Sequence, residues 1–333
     1  MKILCLFFTE QQSNTKIKDL RKMNYESVKQ INFGLQSRTI LSFCIEFIEK
    51  DAFRDLINLS ELDLKLNRIK RIDSPVFNNL QYLKMLDLDA NGLEFLSHDA
   101  FYGLKSLEYL SLNSNSLTVL ESGVFDELCN LKQLYLCGNP ISIIGQKYFH
   151  ALNNLEVLYL QSNFLEKTEN GAFDSLSKLK VLSLGYNDLN EMPEDVFQCL
   201  HNLECLYLGS NKFLYKVIKP NLFANLVHLK HLDLSKTNLS TINVSVFESL
   251  NNLEILNLSK NKLKAIDDSS FSHLKSLKLL NLSANKIEMI SKFAFQGIQN
   301  LRKLKLHNNK LEMLDYGTFE SLKMLEKLTL SKL

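Results

Sequence analysis

The feature that most constrains this chain is a period of 24 residues. Leu253, Leu256, Leu258, Asn261, Leu263, Ile266, Phe271 and Leu274 define places 1, 4, 6, 9, 11, 14, 19 and 22 of a unit. Leu277, Leu280, Leu282, Asn285, Ile287, Ile290, Phe295 and Ile298 fill the same places one unit later. Leu301, Leu304, Leu306, Asn309, Leu311, Leu314, Phe319 and Leu322 fill them again. Self-similarity at a fixed period of this size marks a solenoid, in which each unit buries its apolar face only against its neighbours. A chain of 333 residues would ordinarily suggest two globular domains. The repeat implies instead one elongated domain with a long, thin core.

Eleven full repeats begin at Leu59, Leu83, Leu107, Leu131, Leu155, Leu179, Leu203, Leu229, Leu253, Leu277 and Leu301 and span 59–324. Ten are 24 residues long, and the one from Leu203 has 26. A twelfth, 325–333, breaks off inside its strand. Upstream, 28–58 reads as a degenerate repeat with Val28, Ile31 and Phe33 in its first half, Ile45, Ile48, Phe53 and Leu56 in its second, and an insertion between. Residues 1–27 fit no register well and form a degenerate N-terminal segment, read either as a decayed repeat or as a leader. The opening MKILCLFF has one Lys and a six-residue apolar run. That is short for a signal peptide, whose apolar region needs about 7–15 residues, and the rival reading is an internal strand.

Places 3 to 7 alternate, so the Leu residues at 4 and 6 point inward while 3, 5 and 7 point outward. Successive strands are expected to pair in parallel on a concave face. Asn at place 9 (Asn67, Asn91, Asn115, Asn139, Asn163, Asn187, Asn211, then Thr237 as substitute, then Asn261, Asn285 and Asn309) lies where the chain leaves the strand. Its amide both donates and accepts, so it can satisfy turn backbone that would otherwise be buried unpaired. Only ten residues separate Asn from Phe, which leaves room for short helical turns and coil on the convex side. The Phe column, from Phe53 through Phe319, is expected to stack ring on ring without a break. One weak spot is Thr168, at a place 14 where other repeats carry Ile, Leu or Met.

A 24-residue unit with Asn at 9 and Phe at 19 resembles the typical class of leucine-rich repeats. It is similar to the ectodomains of Toll and Toll-like receptors, to Slit-type proteins and to secreted insect repeat proteins of immunity. The resemblance covers 28–333. It implies an α/β repeat solenoid, a horseshoe with a parallel β-sheet on the concave face and short helical turns or coil on the convex face. It also implies a non-enzymatic recognition module, extracellular or at the cell surface, of the innate-immunity or adhesion type. The cysteine-rich caps of that class are not found here, and a solenoid ending in mid-strand leaves apolar surface bare. The chain is therefore expected to be a fragment that aggregates through its edge at Leu325–Leu333.

The sequence offers no chemistry. His231 and Asp233 share a strand face, but no Ser or Cys nucleophile has a sequence argument for joining them. There is no glycine-rich phosphate loop. No catalytic residue, metal site or cofactor is expected. Charge is balanced, 39 basic against 37 acidic residues, so no nucleic acid is expected as partner. No apolar run approaches the ~20 residues of a membrane helix. Cys5, Cys44, Cys129, Cys137, Cys199 and Cys205 form no CxxC pair and read mostly as small buried hydrophobes.

What remains is the outward row of the strands. Its early part is acidic, with Glu61, Asp63, Asp87 and Asp89; its middle is aromatic and nearly uncharged, with Tyr109, Tyr135, Val157, Tyr159, Val181, Tyr186 and Tyr207; its end is basic, with Lys303, Lys305, His307 and Lys327. A Tyr-rich, charge-poor centre with charged flanks suits protein recognition. The expected ligand-binding set is Tyr109, Tyr135, Val157, Tyr159, Tyr186 and Tyr207, with Asp63, Asp87 and Asp89 at the rim. The ligand is a protein or glycan, and a homo- or heterodimer is compatible with the face. The alternative is a structural or scaffold protein acting by self-association. Tyr at place 5 is also a common filler of strands. The insertion in the Leu203 repeat is expected to bulge and expose Tyr215 and Lys216. Five N-x-S sequons, at Asn58, Asn238, Asn243, Asn257 and Asn281, are glycosylation candidates. Two of them, Asn257 and Asn281, occupy place 5, where glycans would cover the later strands.

Overall fold

The computed structural model describes residues 45–213 and 218–331. Segment 1–27, the first part of the degenerate repeat, Cys5, Cys44, Tyr215, Lys216 and the last two residues lie outside the described residues. The chain falls into two compact units. The first comprises the described residues up to Ser142 together with Lys147–Leu158; the second comprises Ile143–Gln146 and the chain from Tyr159 onward.

In each unit places 3 to 5 of the repeats form three-residue strands, as in Glu61–Asp63 and Val181–Ser183, paired in parallel. The first unit aligns Leu62, Leu86, Leu110 and Leu134 in one row. The second aligns Leu182, Leu206, Leu232, Leu256, Leu280, Leu304 and Leu328. Leu206 pairs with Leu232 in register although they are 26 residues apart, so the two extra residues of that repeat are absorbed outside the strand. The place-4 and place-6 Leu side chains from Leu62 to Leu306 are all buried, as the alternation requires.

The return path is almost free of helix. Two short 3₁₀ turns, Pro220–Phe223 and Val244–Phe247, are the described helical elements. Three parallel two-residue pairs stitch the return at places 13 and 14: Arg71–Ile72 with Phe95–Leu96, Ile143–Ile144 with Lys167–Thr168, and Ala265–Ile266 with Met289–Ile290. The rings Phe53, Phe77, Phe101, Phe125 and Phe149 of the first unit stack with centroids 5.8–6.5 Å apart. In the second unit Phe173, Phe197 and Phe223 stack, and so do Phe247, Phe271, Phe295 and Phe319. Among the described residues no ring pair joins Phe223 to Phe247, so the expected unbroken column is interrupted there. Each ring keeps its other neighbour, Phe223 stacking on Phe197 and Phe247 on Phe271, both at 6.4 Å. An apolar cavity of about 30 Å³ in the same unit is bordered by Leu208, Phe213, Leu234 and Thr237.

Every described repeat turns out of its strand at place 8 with φ between +52° and +66°. Only one of those residues, Gly138, is a glycine. A residue with a Cβ gives up roughly 1–2 kcal/mol in that region. The turn offsets this by aiming the place-8 N–H at the place-7 carbonyl of the next repeat, as in Ser114 to Cys137 O at 2.7 Å and Lys260 to Ser283 O at 2.9 Å.

Thr168 is buried, 4% exposed, and its hydroxyl has no hydrogen-bond partner. An unpaired buried hydroxyl costs about 1–3 kcal/mol, and Val has the same shape with a methyl in its place. Thr168→Val is therefore expected to raise stability by roughly 1–2 kcal/mol in urea unfolding, with an unchanged or lower midpoint arguing against the assignment.

Candidate functional site

The outward row of the strands divides into positions that serve the backbone and positions that do not. Place 5 serves it wherever it carries Asp or Asn. Asp63 Oδ1 accepts from Lys65 N at 3.0 Å, Asp87 from Asp89 N at 3.0 Å and Asp233 from Ser235 N at 2.8 Å. Asn257 and Asn281 accept from both the N–H and the hydroxyl of Ser259 and Ser283. Each is a two-residue side-chain turn that caps the N–H released as the strand ends. The sequons at Asn257 and Asn281 therefore have a structural reason of their own, shared with three aspartates that are not sequons. Asn243 likewise caps its 3₁₀ turn through Ser245 N. Asn58 and Asn238 stand exposed. His231 is registered on Cys205 of the neighbouring strand, but burial pushes that thiol up and so disfavours the thiolate, and Asp233 is engaged with Ser235.

The acidic residues form one connected group in the first unit. Lys65 Nζ lies 3.4 Å from Asp63 and 3.9 Å from Asp87. Asp89 Oδ1 accepts from the Ser111 hydroxyl and from Asn113 N at 2.6 Å. Burial pushes the Asp87 carboxyl up, and the neighbouring Asp89 and Asp63 charges add to this.

The aromatic residues are less exposed than expected. Tyr109 and Tyr135 are half-buried because their rings lie on adjacent strands and meet each other, centroids 5.2 Å apart and tilted 41°. Tyr135 donates to Gln133 Oε1 at 2.9 Å. Val157 is half-buried in the same unit. In the second unit Tyr159 and Tyr207 are half-buried, whereas Tyr186 is 68% exposed at its left-handed turn. Burial, with Cys205 next to it, pushes the Tyr207 phenol to about 12, so it stays a neutral donor. The cysteines correct another expectation. Cys129 is exposed and Cys137, Cys199 and Cys205 are half-buried, none of them in a disulfide. They sit on outward strand places or on the return, which is why burial is incomplete.

Two columns escaped the sequence reading. One is an alternating charge ladder at place 2. In the first unit Glu108 sits between Lys84, 3.7 Å away, and Lys132, 2.8 Å away. In the second, Lys230 meets Glu204, Lys278 meets Glu254 and Arg302 meets Glu326, each at 2.8 Å. The Lys132 hydrogen bond holds Glu108 below the usual carboxylate range. The alternation of sign every 24 residues was the available signal. The other is a second asparagine column at place 24, where Asn130, Asn202, Asn252 and Asn300 donate to a carbonyl 25 residues earlier at 2.8 Å.

The match to known proteins follows the same frame. The Leucine rich repeat family profile matches 42–93, 81–141, 129–179, 153–213, 215–263, 227–287 and 277–332. The chain belongs to the leucine-rich repeat family. No curated protein matches it. Among solved structures it is similar to a leucine-rich repeat protein of Leptospira interrogans, with 30% identity over 84% of this chain and 70% of that one and a TM-score of 0.73. It is similar to a chain of the Toll–Spätzle complex of Drosophila, with 26% identity over 87% of this chain and a TM-score of 0.80, and spans 41% of that chain. It is also similar to the TLR13–ssRNA13 complex, at 25% identity over 85% of this chain and a TM-score of 0.51, and spans 52% of that chain. This places the chain among protein-interaction scaffolds, with no catalytic family indicated. Among the described residues no helix is long and apolar enough to cross a membrane. No group of three potential metal ligands occurs among them either.

Because its raised pKa means the folded state favours the protonated form, ionised Asp87 costs stability as pH rises through its folded pKa. Asn preserves the Oδ1 acceptor, as Asn257 and Asn281 show at the same place. Asp87→Asn is expected to melt above the wild type at pH 7 and together with it near pH 3. A lower melting temperature at pH 7 would show that the carboxylate charge itself stabilises the fold.

Proposed function

We propose that this repeat array is an extracellular or cell-surface recognition module, of the innate-immunity or adhesion type, whose open sheet face engages a protein. The observation that carries the reading is the Tyr109–Tyr135 pair, rings in contact and half open on a rigid sheet, with no charge of its own. Their geometry is fixed by the strands, so a partner gains aromatic area with little loss of side-chain freedom. Tyr159, Tyr186 and Tyr207 give the second unit a comparable set. Asp63, Asp87 and Asp89 supply a negative rim to the first. Asp63 and Asp87 spend one carboxylate oxygen on the backbone, so their role toward a partner is to add field and hydration at the edge of the aromatic patch.

The likeness to the Toll chain, solved in complex with Spätzle, supports a protein as the partner class. The near-neutral charge balance supports the same choice over a nucleic acid. Screened against an array of secreted proteins, the wild-type chain is expected to hold a partner that Tyr135→Ala/Tyr159→Ala/Tyr207→Ala binds about tenfold or more weakly, the usual effect of removing central aromatic anchors. Equal affinity in both would contradict the aromatic reading of the face.

A further inference from the structure

A second surface lies away from the sheet face, in the second unit. A cleft of about 670 Å³ opens at places 10 to 18 of neighbouring repeats, lined by Lys212, Lys262, Lys264 and Lys286. Asp267 is the one carboxylate in the lining. Lys212, Lys262 and Lys286 hold place 10 of their repeats, and Lys264 stands two residues beyond Lys262. Lys262 and Lys286 stand on successive repeats, and Asn238 holds the place 10 that lies between Lys212 and Lys262.

These lysines differ from those of the place-2 ladder. There Lys132, Lys230 and Lys278 each have a carboxylate at 2.8 Å. In the cleft only Lys212 is so placed, 2.7 Å from Asp188. Among the described residues no carboxylate lies within salt-bridge distance of Lys262, Lys264 or Lys286. A concave wall bearing one sign of charge focuses its field into the opening and raises the local concentration of the opposite sign. The rim adds neutral donors, the Asn238 amide and the Thr241 hydroxyl, both on exposed residues.

We propose that this cleft binds an anion carrying two or more phosphate or sulfate groups. The volume exceeds what a single such group fills, and the three unpaired ammonium groups supply separate charge-assisted hydrogen bonds. Lysine is a flexible point charge without the fixed fork of arginine, so the cleft recognises charge and spacing, and phosphate and sulfate are both within its reach. The proposal is independent of any protein on the sheet face.

The test uses the whole chain made in bacteria, so that Asn238 on the rim carries no sugar. Tripolyphosphate and a trisulfated disaccharide are titrated separately by calorimetry at about 0.15 M salt, where diffuse surface attraction is largely screened. At least one of them is expected to bind, and Lys262→Gln/Lys264→Gln/Lys286→Gln to weaken it by about tenfold or more. The control Lys132→Gln/Lys230→Gln/Lys278→Gln removes the same charge from the paired ladder and is expected to leave binding unchanged. Preference for one probe identifies the group as phosphate or sulfate. Failure of both probes to bind, or equal weakening in the two variants, overturns the proposal. All six lysines are exposed, and matching melting curves will confirm that each variant is folded.

Discussion

The place-9 carboxamide is the interaction on which the rest of the structure depends. Asn115 shows its full reach within the first unit. Its Nδ2 donates to Leu112 O in its own repeat and to Leu88 O in the one before, both at 3.0 Å. Its Oδ1 accepts from Asn91 N at 3.1 Å and from Gly92 N and Leu93 N at 2.9 Å. These backbone groups lie where the strand ends and in the turn that follows it, buried except for the partly buried Gly92 N–H. One side chain therefore satisfies a turn that its own repeat cannot, and does so by reaching into its neighbour. Asn187, Asn211, Asn261, Asn285 and Asn309 repeat the backward reach in the second unit. Leucine packing gives the units affinity for one another, but it is non-directional. The carboxamides add direction, and with it the register of the strands.

Thr237 shows how the ladder tolerates a gap. Its hydroxyl keeps the bond to Leu234 O at 2.7 Å, and its N–H and hydroxyl both reach Asn261 Oδ1. Threonine has one donor and no amide, so it has nothing left for the backward bond to the preceding repeat. The preceding repeat is the one with two extra residues, and the small apolar cavity borders Thr237 itself.

The architecture was legible because it is written many times over. A period of 24 with Leu at 4 and 6 leaves one choice of strand face, and both the parallel register and the buried phenylalanine column follow. The interruption between Phe223 and Phe247 was not legible, since the letter at both positions is still Phe. The left-handed place 8 was hidden because Leu66, Ala90 and Tyr186 carry no turn signature, the conformation being imposed by the bonds on either side. The candidate site was legible as a composition and not as a geometry. The letters Tyr109 and Tyr135 do not say that the two rings will shelter one another. Nor do Asp63 and Asn257 announce that their oxygens are committed to the backbone two residues on. The lysine cleft depends on which charges remain unpaired, and that is known only once the repeats are stacked.

The central claim is that the carboxamide ladder couples one repeat to the next. Amide hydrogen exchange of Asn115→Ala tests it most directly. The account predicts fast exchange at Gly92 and Leu93, whose N–H groups lose their acceptor, and a loss of roughly 3 kcal/mol or more in global stability as several buried backbone groups go unpaired. Wild-type protection at Gly92 and Leu93 with an unchanged melting temperature would contradict it, and would leave side-chain packing and the backbone bonds between strands as what holds the repeats in register.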